Sequence, residues 1–382
     1  MKFLKNLSFS TKRAIEALVF LAIFFAVFGF LSSKMTLPHM LNTIMQTSYH
    51  LLMETCLYLM GITVLTGALG KLLVEFGVVR LLEKILKPLM KPLFNLPGVA
   101  ALGAVLTFLS DNPAIIALAN DKNFSRYFKK YQLISLTNFG TAFGMGLVVI
   151  AFMIGKGFGG GAAVGLLGAV VGSIISTRLM QHFIVKAYPA FKNEEAAGGD
   201  EDKISFKTED GVFMRGLNAI LDGGKNGVDL GLAIIPGVLV ISTFVMMLTF
   251  GPSAEGYTGA AYEGVPVLPW LAGKIDFVFR WLFGFENPEL VAFPITALGA
   301  VGAALGLVPK FIEQGLVDGN VIAVFTAMGM CWSGFLSTHT AMLDSLGYRK
   351  LTSKAITAHT IGGFCAGIAA HIFYVLFSLI AG

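Results

Sequence analysis

Four consecutive residues concentrate the chemistry of this sequence: Ser110-Asp111-Asn112-Pro113. They supply a hydroxyl, a carboxylate, an amide and a ring nitrogen without a proton, in the middle of the apolar run VAALGAVLTFLSDNPAIIALA. An Asp at the centre of a bilayer costs roughly 2.5–3.5 kcal/mol on insertion scales. Proline removes a backbone donor and disfavours helical geometry in the residue before it. Backbone groups left free at that depth persist only when buried in protein or lining a wet cavity. The combination predicts a contact for a solute or an ion. The alternative is a structural kink whose Asp pairs with a neighbouring helix. A second polar group lies in the apolar stretch Tyr131–Ile154, where Thr137, Asn138 and Thr141 have Gly140, Gly144 and Gly146 beside them. Such a mixture permits close packing or local unwinding with exposed carbonyls; a plain interhelical hydrogen bond is the competing reading. His339 is a candidate proton carrier or ligand contact, or else a buried histidine satisfied by a carbonyl. His359 and His371 lack metal-ligand spacing and read as structural, and Trp332 and the phenylalanines read as packing.

The elements that must hold these groups are membrane elements. The chain has 382 residues, 55% hydrophobic and 13% charged, with Gly 45 and Phe 33 suited to close helix packing within a bilayer. Its mean hydropathy is +0.75. The net charge of +5 reads as loop asymmetry, with no interleaving of basic and aromatic residues that a nucleic-acid surface would need. Cys56, Cys331 and Cys365 lie in apolar segments without CxxC spacing, so neither a disulfide framework nor a zinc site is expected. No Walker A loop, HExxH or GxSxG is present, and no acid/base or nucleophile constellation assembles; an enzyme is not expected.

Basic residues flank the SDNP run on both sides: Arg80, Lys84, Lys87 and Lys91 before it, Lys122, Arg126, Lys129 and Lys130 after it. By the positive-inside tendency both ends are cytoplasmic, so the run dips and returns as a re-entrant hairpin instead of crossing. Lys2, Lys5, Lys12 and Arg13 put the N-terminus inside, before a retained span from about Ala14 to Leu31 and a short outer link, Ser32–Leu41. A long helix, Thr43–Val79, returns to the cytoplasm. Arg80–Gly98 reads as an interfacial amphipathic segment, with Leu82, Leu86, Leu89 and Leu93 on one face and three lysines opposite. Tyr131–Ile154 and Ala162–Phe183 cross out and back. Lys186–Arg215, with Glu194, Glu195, Asp200, Glu201 and Asp202, is a solvated cytoplasmic connector. Leu221–Phe250 crosses outward, Trp270–Phe285 lies at the outer interface, Leu290–Ile312 forms a second hairpin, and Val321–Leu346 and Ile356–Ile380 cross. Asp222 and Asp344 fall near span ends and read as solvated.

The order span, interfacial helix, hairpin, span, span thus occurs twice, entering from opposite sides. This predicts an all-α polytopic membrane protein of two inverted-topology repeats, with a site at mid-membrane between them. The expected divisions are an N-terminal helix and link (1–42), a first repeat (43–185), a polar linker (186–216) and a second repeat (217–382).

In this order the motifs resemble the nucleoside-recognition (Gate) membrane proteins, a family related to concentrative nucleoside transporters and to spore maturation proteins A and B. LSDNPAII sits where the nucleoside transporters carry a G-Q-T-E-A-P-L hairpin tip. DGGKNGVDLGLAIIPGVLVIS is similar to their D-G-x-K-x-x-x-N-V-A helix, WLFGFENPELVAF to W-L-M-G-x-P, and MCWSGFLSTHTAML to C-G-F-A-N-F-S-S-I. The resemblance covers about Thr43 to Ile380. It implies a concentrative nucleoside transporter-like fold, sodium- or proton-coupled, with a scaffold and a mobile part. Ser110, Asp111, Asn112 and Pro113 would form the first tip, and Thr137, Asn138 and Thr141 the adjacent unwound span. Ser333, Ser337, Thr338 and His339 would lie in the matching span of the second half. Where those transporters have an Asn-Glu on the second hairpin, this chain offers only Thr296 and no carboxylate; Glu286 and Glu289 come earlier.

The expected function is secondary transport of a small polar or nucleoside-like solute. Its substrate contacts are Ser110, Asp111, Asn112, Pro113, Thr296, Ser333, Ser337, Thr338 and His339. Its coupling ion, sodium or a proton, would meet Asn112, Thr137, Asn138 and Thr141. No cofactor is expected. The surroundings are the bacterial inner membrane, with the N-terminus cytoplasmic and the chain in a homodimer or homotrimer. The alternative, favoured by the bare second hairpin, is a non-transporting component that acts with a second Gate-type membrane protein.

Overall fold

The structure, a computed structural model, describes residues 9–194, 196 and 211–381. Its regular structure is helical, and among the described residues seven segments are long and apolar enough to cross a membrane: Thr11–Met35, Leu37–Glu75, Lys130–Gly155, Gly159–Ala187, Val212–Thr249, Gly319–Ser345 and Arg349–Ile380.

The first helix, α1 (Phe9–Met35), continues past the end expected from hydropathy. The outer link shrinks to Thr36, whose φ of 65° is the whole turn into α2 (Leu37–His50). Pro38 in the first turn of α2 suits a helix start, where no amide partner is lost. One π turn (Leu51–Cys56) joins α2 to α3 (Leu57–Glu75) as a single rod. Gly77, at φ 74°, ends it and starts α4 (Val78–Leu89). The amphipathic reading of this segment is corrected in detail. Leu82, Leu86 and Leu93 do pack inward. Leu89 instead joins Leu81 and Ile85 on an exposed stripe, these three being 44%, 60% and 60% accessible. Pro88 and the π turn Met90–Phe94 rotate the register between them.

Two antiparallel helices follow, α5 (Ala100–Leu109) and α6 (Pro113–Asn120), with a short α7 (Lys122–Ser125) capped by the Asp121 carboxylate. They touch along their length: a Cβ on Gly103 would meet the Ile115 Cδ1 at 2.9 Å. SDNP is therefore a hairpin tip, as the flanking charge predicts. The next span is not one helix. It divides into α8 (Lys130–Thr141) and α9 (Gly146–Gly155), and α10 (Gly159–Ala187) returns unbroken. Of the connector, residues 195 and 197–210, with Glu195, Asp200, Glu201 and Asp202, lie outside the described residues; Glu194 sits 4.0 Å from the Lys130 ammonium.

The second half begins with α11 (Val212–Gly237), which passes through a π turn at Val238–Ser242 into α12 (Thr243–Thr249). The outer interfacial segment is two short helices, α13 (Val267–Ala272) and α14 (Asp276–Phe283), and not one. Trp270, Phe277 and Trp281 lie exposed on them, as expected at a headgroup boundary. The second hairpin is α15 (Ala292–Gly299) and α16 (Val301–Glu313), then come α17 (Gly319–Cys331), α18 (Phe335–Ser345) and α19 (Thr352–Ala381). Each hairpin is thus followed by a span interrupted near its middle and then by an uninterrupted one.

Two packings hold these parts. In one, α3 and α11 cross backbone to backbone: the Thr63 hydroxyl donates to the Gly227 carbonyl at 2.7 Å, and a Cβ on Gly67 would lie 2.4 Å from the Gly223 carbonyl. In the other, α10 lies against α17 and α19, with Gly165 facing the Ala323 carbonyl and Gly172 the Gly362 carbonyl. Small residues let helices approach this closely where lipid gives little hydrophobic drive. The second hairpin is sealed into the latter body by the Phe293–Phe325 stack, whose ring centroids are 4.0 Å apart.

Candidate functional site

The first hairpin tip inserts its amide between two interrupted helices. Helix α8 stops at Thr141, and Met145 takes a left-handed φ of 55° before α9 begins. Helix α17 stops at Cys331, and Gly334, at φ 63°, starts α18. Asn112 lies between these gaps, 4% exposed. A Cβ on Gly144 would stand 2.2 Å from its Oδ1, and one on Gly334 2.4 Å from its Nδ2. Only glycine at both places admits the side chain. The Asn112 Nδ2 donates to the Asp111 carboxylate at 3.1 Å and to the Ser333 hydroxyl at 3.4 Å. Its Oδ1 is buried with no partner among the described residues. A buried acceptor left unmet costs on the order of 1–3 kcal/mol, so the position is held by packing against its own preference.

The residues expected at the site divide into those brought together and those not. Asp111, Asn112 and Ser333 meet, and the Thr338 hydroxyl lies beside Gly334. Ser110 is exposed, its hydroxyl bound to the Leu106 carbonyl at 2.6 Å; Pro113 opens α6. Ser337 is exposed and reaches only toward the Gly334 carbonyl, at 3.4 Å. Thr296 gives its hydroxyl to the Ala292 carbonyl of its own helix at 2.7 Å and makes no bond to the first hairpin. Thr137, Asn138 and Thr141 are not in the unwound stretch. They are the last turns of α8, and Ala142–Met145 is what unwinds, because the helix can end where Gly144 removes the side-chain clash. Thr141 bonds the Thr137 carbonyl at 2.5 Å, while the Thr137 hydroxyl and the Asn138 Oδ1 are buried without partners.

Asn138 belongs to a second network that spacing alone did not reveal. Its Nδ2 donates to the Ser176 hydroxyl at 3.0 Å and to the Ala355 carbonyl at 2.9 Å. Ser176 meets the His359 Nδ1 at 3.0 Å, and the His359 Nε2 meets the Cys331 carbonyl at the edge of the second gap. A carbonyl can only accept, so Nε2 carries the proton, Nδ1 accepts, and Ser176 donates to it. Trp332 donates its Nε1 to the His359 carbonyl at 3.2 Å. His339 gives Nδ1–H to the Phe335 carbonyl at 2.5 Å, and its ring lies 4.6 Å from that of His359 with Nε2 unpartnered. The two histidines are neighbours only because α18 and α19 pack, which a twenty-residue separation in sequence does not disclose. Among the described residues no group of three or more His, Cys, Asp or Glu side chains could hold a metal ion.

Beneath the tip, between the first hairpin and the α3/α11 crossing, is a cavity of about 930 Å³. Its far wall carries Lys71 on α3 and Asn226 and Asp229 on α11, all exposed to it. Sequence reasoning missed these three as site candidates, although a charge well inside a span is itself a signal. Outside the spans, Glu263 in the loop between α12 and α13 is held by the Thr258 amide and hydroxyl and the Gly259 amide, at 2.7–3.1 Å. Burial pushes its carboxyl up, but these donors outweigh it and leave the carboxyl below its ordinary value.

Comparison with known proteins now places the architecture. Residues 56–157, from the π turn before α3 to the end of α9, match the Gate family, described as nucleoside recognition. A double variant of CNTnw in an outward-facing state superposes with a TM-score of 0.55 at 13% identity, covering 84% of this chain and 76% of that one. The fold is that of CNTnw. A single variant of CNTnw in the intermediate 1 state gives a TM-score of 0.55 at 14% identity over 97% of this chain and 86% of that chain. CNTnw in an inward-facing substrate-bound state gives 0.52 at 14% identity, over 84% and 76%. No curated protein matches the sequence. The chain is therefore a multi-pass membrane protein with a fold like that of CNTnw, part of which matches the Gate family. The matched Gate region contains both the Asn112 hairpin and the first interrupted span.

Proposed function

We propose that this protein is a cation-coupled secondary transporter of a small polar or nucleoside-like solute. The observation that carries the reading is Asn112, an amide buried between two helix gaps with an unmet acceptor and a carboxylate beside it. Interrupted helices of this kind offer a solute or ion polar groups at mid-membrane without water. Asp111, Asn112, Ser333 and Thr338 are the solute contacts, with Ser110, Pro113 and Ser337 at the margin of the site. Thr296 and His339 act from behind it. The coupling ion, sodium or a proton, is met by Asn112, supported by Thr137, Asn138 and Thr141. Asn112 Oδ1, Thr137 Oγ1 and Asn138 Oδ1 are each buried without a partner among the described residues, which leaves each able to accept a proton or meet a hard cation.

Residues 43–185 and 217–382 are inverted repeats joined by the linker 186–216, after an N-terminal helix in 1–42. The protein works as a homo-oligomer in the bacterial inner membrane with its N-terminus inside. The exposed Phe20, Phe24 and Phe25 of α1 suit contact with lipid or a second copy.

The test is uptake by proteoliposomes holding the full chain, screened over nucleosides and nucleobases with and without sodium and with imposed pH gradients. Asp111→Ala is expected to abolish uptake while the protein remains folded by circular dichroism and size exclusion. Undiminished ion-driven uptake in that variant would reject the assignment. A second reading, a non-transporting component of a complex with another Gate-type protein, is favoured by Thr296 spending its hydroxyl within its own helix. Solute flux through this chain alone would exclude it.

A further inference from the structure

The cavity beneath the hairpin tip carries a charge pattern that the transporter reading does not by itself require. Four charged residues line it: Lys71 on α3, Asp111 at the tip, Asp121 at the foot of α6 and Asp229 on α11. Asp121 is already engaged, its Oδ1 accepting the Asn123 and Phe124 amides at 2.7 and 3.0 Å. Lys71, Asp111 and Asp229 form no ion pair with one another or with any other described residue. Asp111 accepts the Asn112 Nδ2 at 3.1 Å and Asp229 accepts nothing among the described residues, so the lining holds three carboxylates against one ammonium. Asp229 directly precedes the uncharged run Leu230–Phe250. It lies 17 positions after Val212 in a segment that runs from Val212 to Thr249. At about 1.5 Å per residue that is roughly 26 Å along the rod. Asp229 is exposed on the cavity wall, and its lack of a partner among the described residues leaves it available to one outside the chain.

Charge and walls together define the occupant. Leu106, Leu109, Ala114, Ala117 and Leu230 make most of the surface apolar. The volume, about 930 Å³, lies at the upper end of the range for small-molecule sites. Resting on the transporter reading above, we propose that the solute is a cation of nucleoside size. Its ammonium or amidinium sits between Asp111 and Asp229, and its ring system lies on the apolar wall. The site would then bridge the hairpin and the α3/α11 crossing, and it would reject carboxylates and phosphates by like-charge repulsion, since specificity is set as much by what a site repels as by what it attracts.

The test uses three matched probes on the full chain in nanodiscs: adenosine, 5′-amino-5′-deoxyadenosine and adenosine-5′-carboxylic acid, with affinity read by calorimetry. The amine is expected to bind at least about tenfold tighter than adenosine, and the carboxylate more weakly than either. Asp229→Asn should bring the amine-to-adenosine ratio to within about threefold of one, whereas Lys71→Gln should widen it. Both substitutions keep side-chain size, and melting temperature checks that neither unfolds the chain. Equal affinities for amine and adenosine, or preference for the carboxylate, would overturn the cation assignment while leaving adenosine binding as support for the transporter reading. Failure of all three probes to bind would overturn the nucleoside-like reading and this inference with it.

Discussion

Gly144 offers the sharpest test of the site's geometry. A methyl group there would stand 2.2 Å from the Asn112 Oδ1 and 2.6 Å from both Cγ and Nδ2, so the amide plane as a whole must retreat and no rotation of one end suffices. Asn112 cannot retreat toward the second gap, because Gly334 approaches its Nδ2 from that side within 2.4 Å of the Cβ position. Overpacking of a close-packed interior costs about 1–3 kcal/mol. At 1.4 kcal/mol per factor of ten, the docked tip loses roughly 5- to 150-fold in population. Gly144→Ala should therefore lower the melting temperature in detergent and weaken ligand binding by about that factor. The clash is specific, so it should vanish when Asn112 is shortened: the double variant Gly144→Ala with Asn112→Ala should be more stable than the sum of the single effects by about 1 kcal/mol or more. The assay is a double-mutant cycle on thermal unfolding, repeated with solute binding. Additive effects, or a Gly144→Ala protein as stable as the parent, would refute the claim that the tip is wedged between the two gaps.

Other expectations follow from the same structure. Gly227→Ala puts a Cβ 2.3 Å from the Thr63 carbonyl and should separate α3 from α11, lowering stability by more than Thr63→Val, which removes one hydroxyl donor shared between the Gly227 and Met60 carbonyls and worth about 0.5–1.5 kcal/mol; equal losses in the two melts would contradict this. His359→Leu removes the link from Ser176 to the Cys331 carbonyl and leaves that carbonyl buried, an expected cost of about 1–3 kcal/mol. Ser176→Ala should be milder, and hydrogen exchange around 331–334 reports which occurs. Glu263→Gln removes a charge that accepts three donors and should free the α12–α13 loop to limited proteolysis. Because the folded carboxyl lies below its ordinary value, its stabilisation is complete above the unfolded value near 4.5 and fades as pH falls through the folded value. The parent loop should become protease-sensitive only in acid, and the Gln variant should be sensitive throughout; a parent profile flat to pH 3 would sink the argument.

The sequence alone determined the class of protein and the place of its first hairpin. Hydropathy and length require membrane helices, and basic residues on both flanks of an apolar run require that run to return to the side it left. These are properties of each residue against one solvent, so they survive translation from string to structure. Polar residues inside apolar runs marked Asp111, Asn112 and Asn138 for the same reason. What the tertiary structure decided is which of these groups meet. Asn112 finds Ser333 across 221 positions, Asn138 turns instead to Ser176 and Ala355, and Thr296 satisfies itself within α15. The gap at Ala142–Met145 could be read only as a permission granted by glycine, since a span breaks where another element needs the room. Hydrogen bonds depend on distance and angle between groups far apart in the chain, and helix packing sets both. Composition therefore says that a buried polar group must be paired, while only the packing of α8, α10, α17 and α19 around the first hairpin says with what.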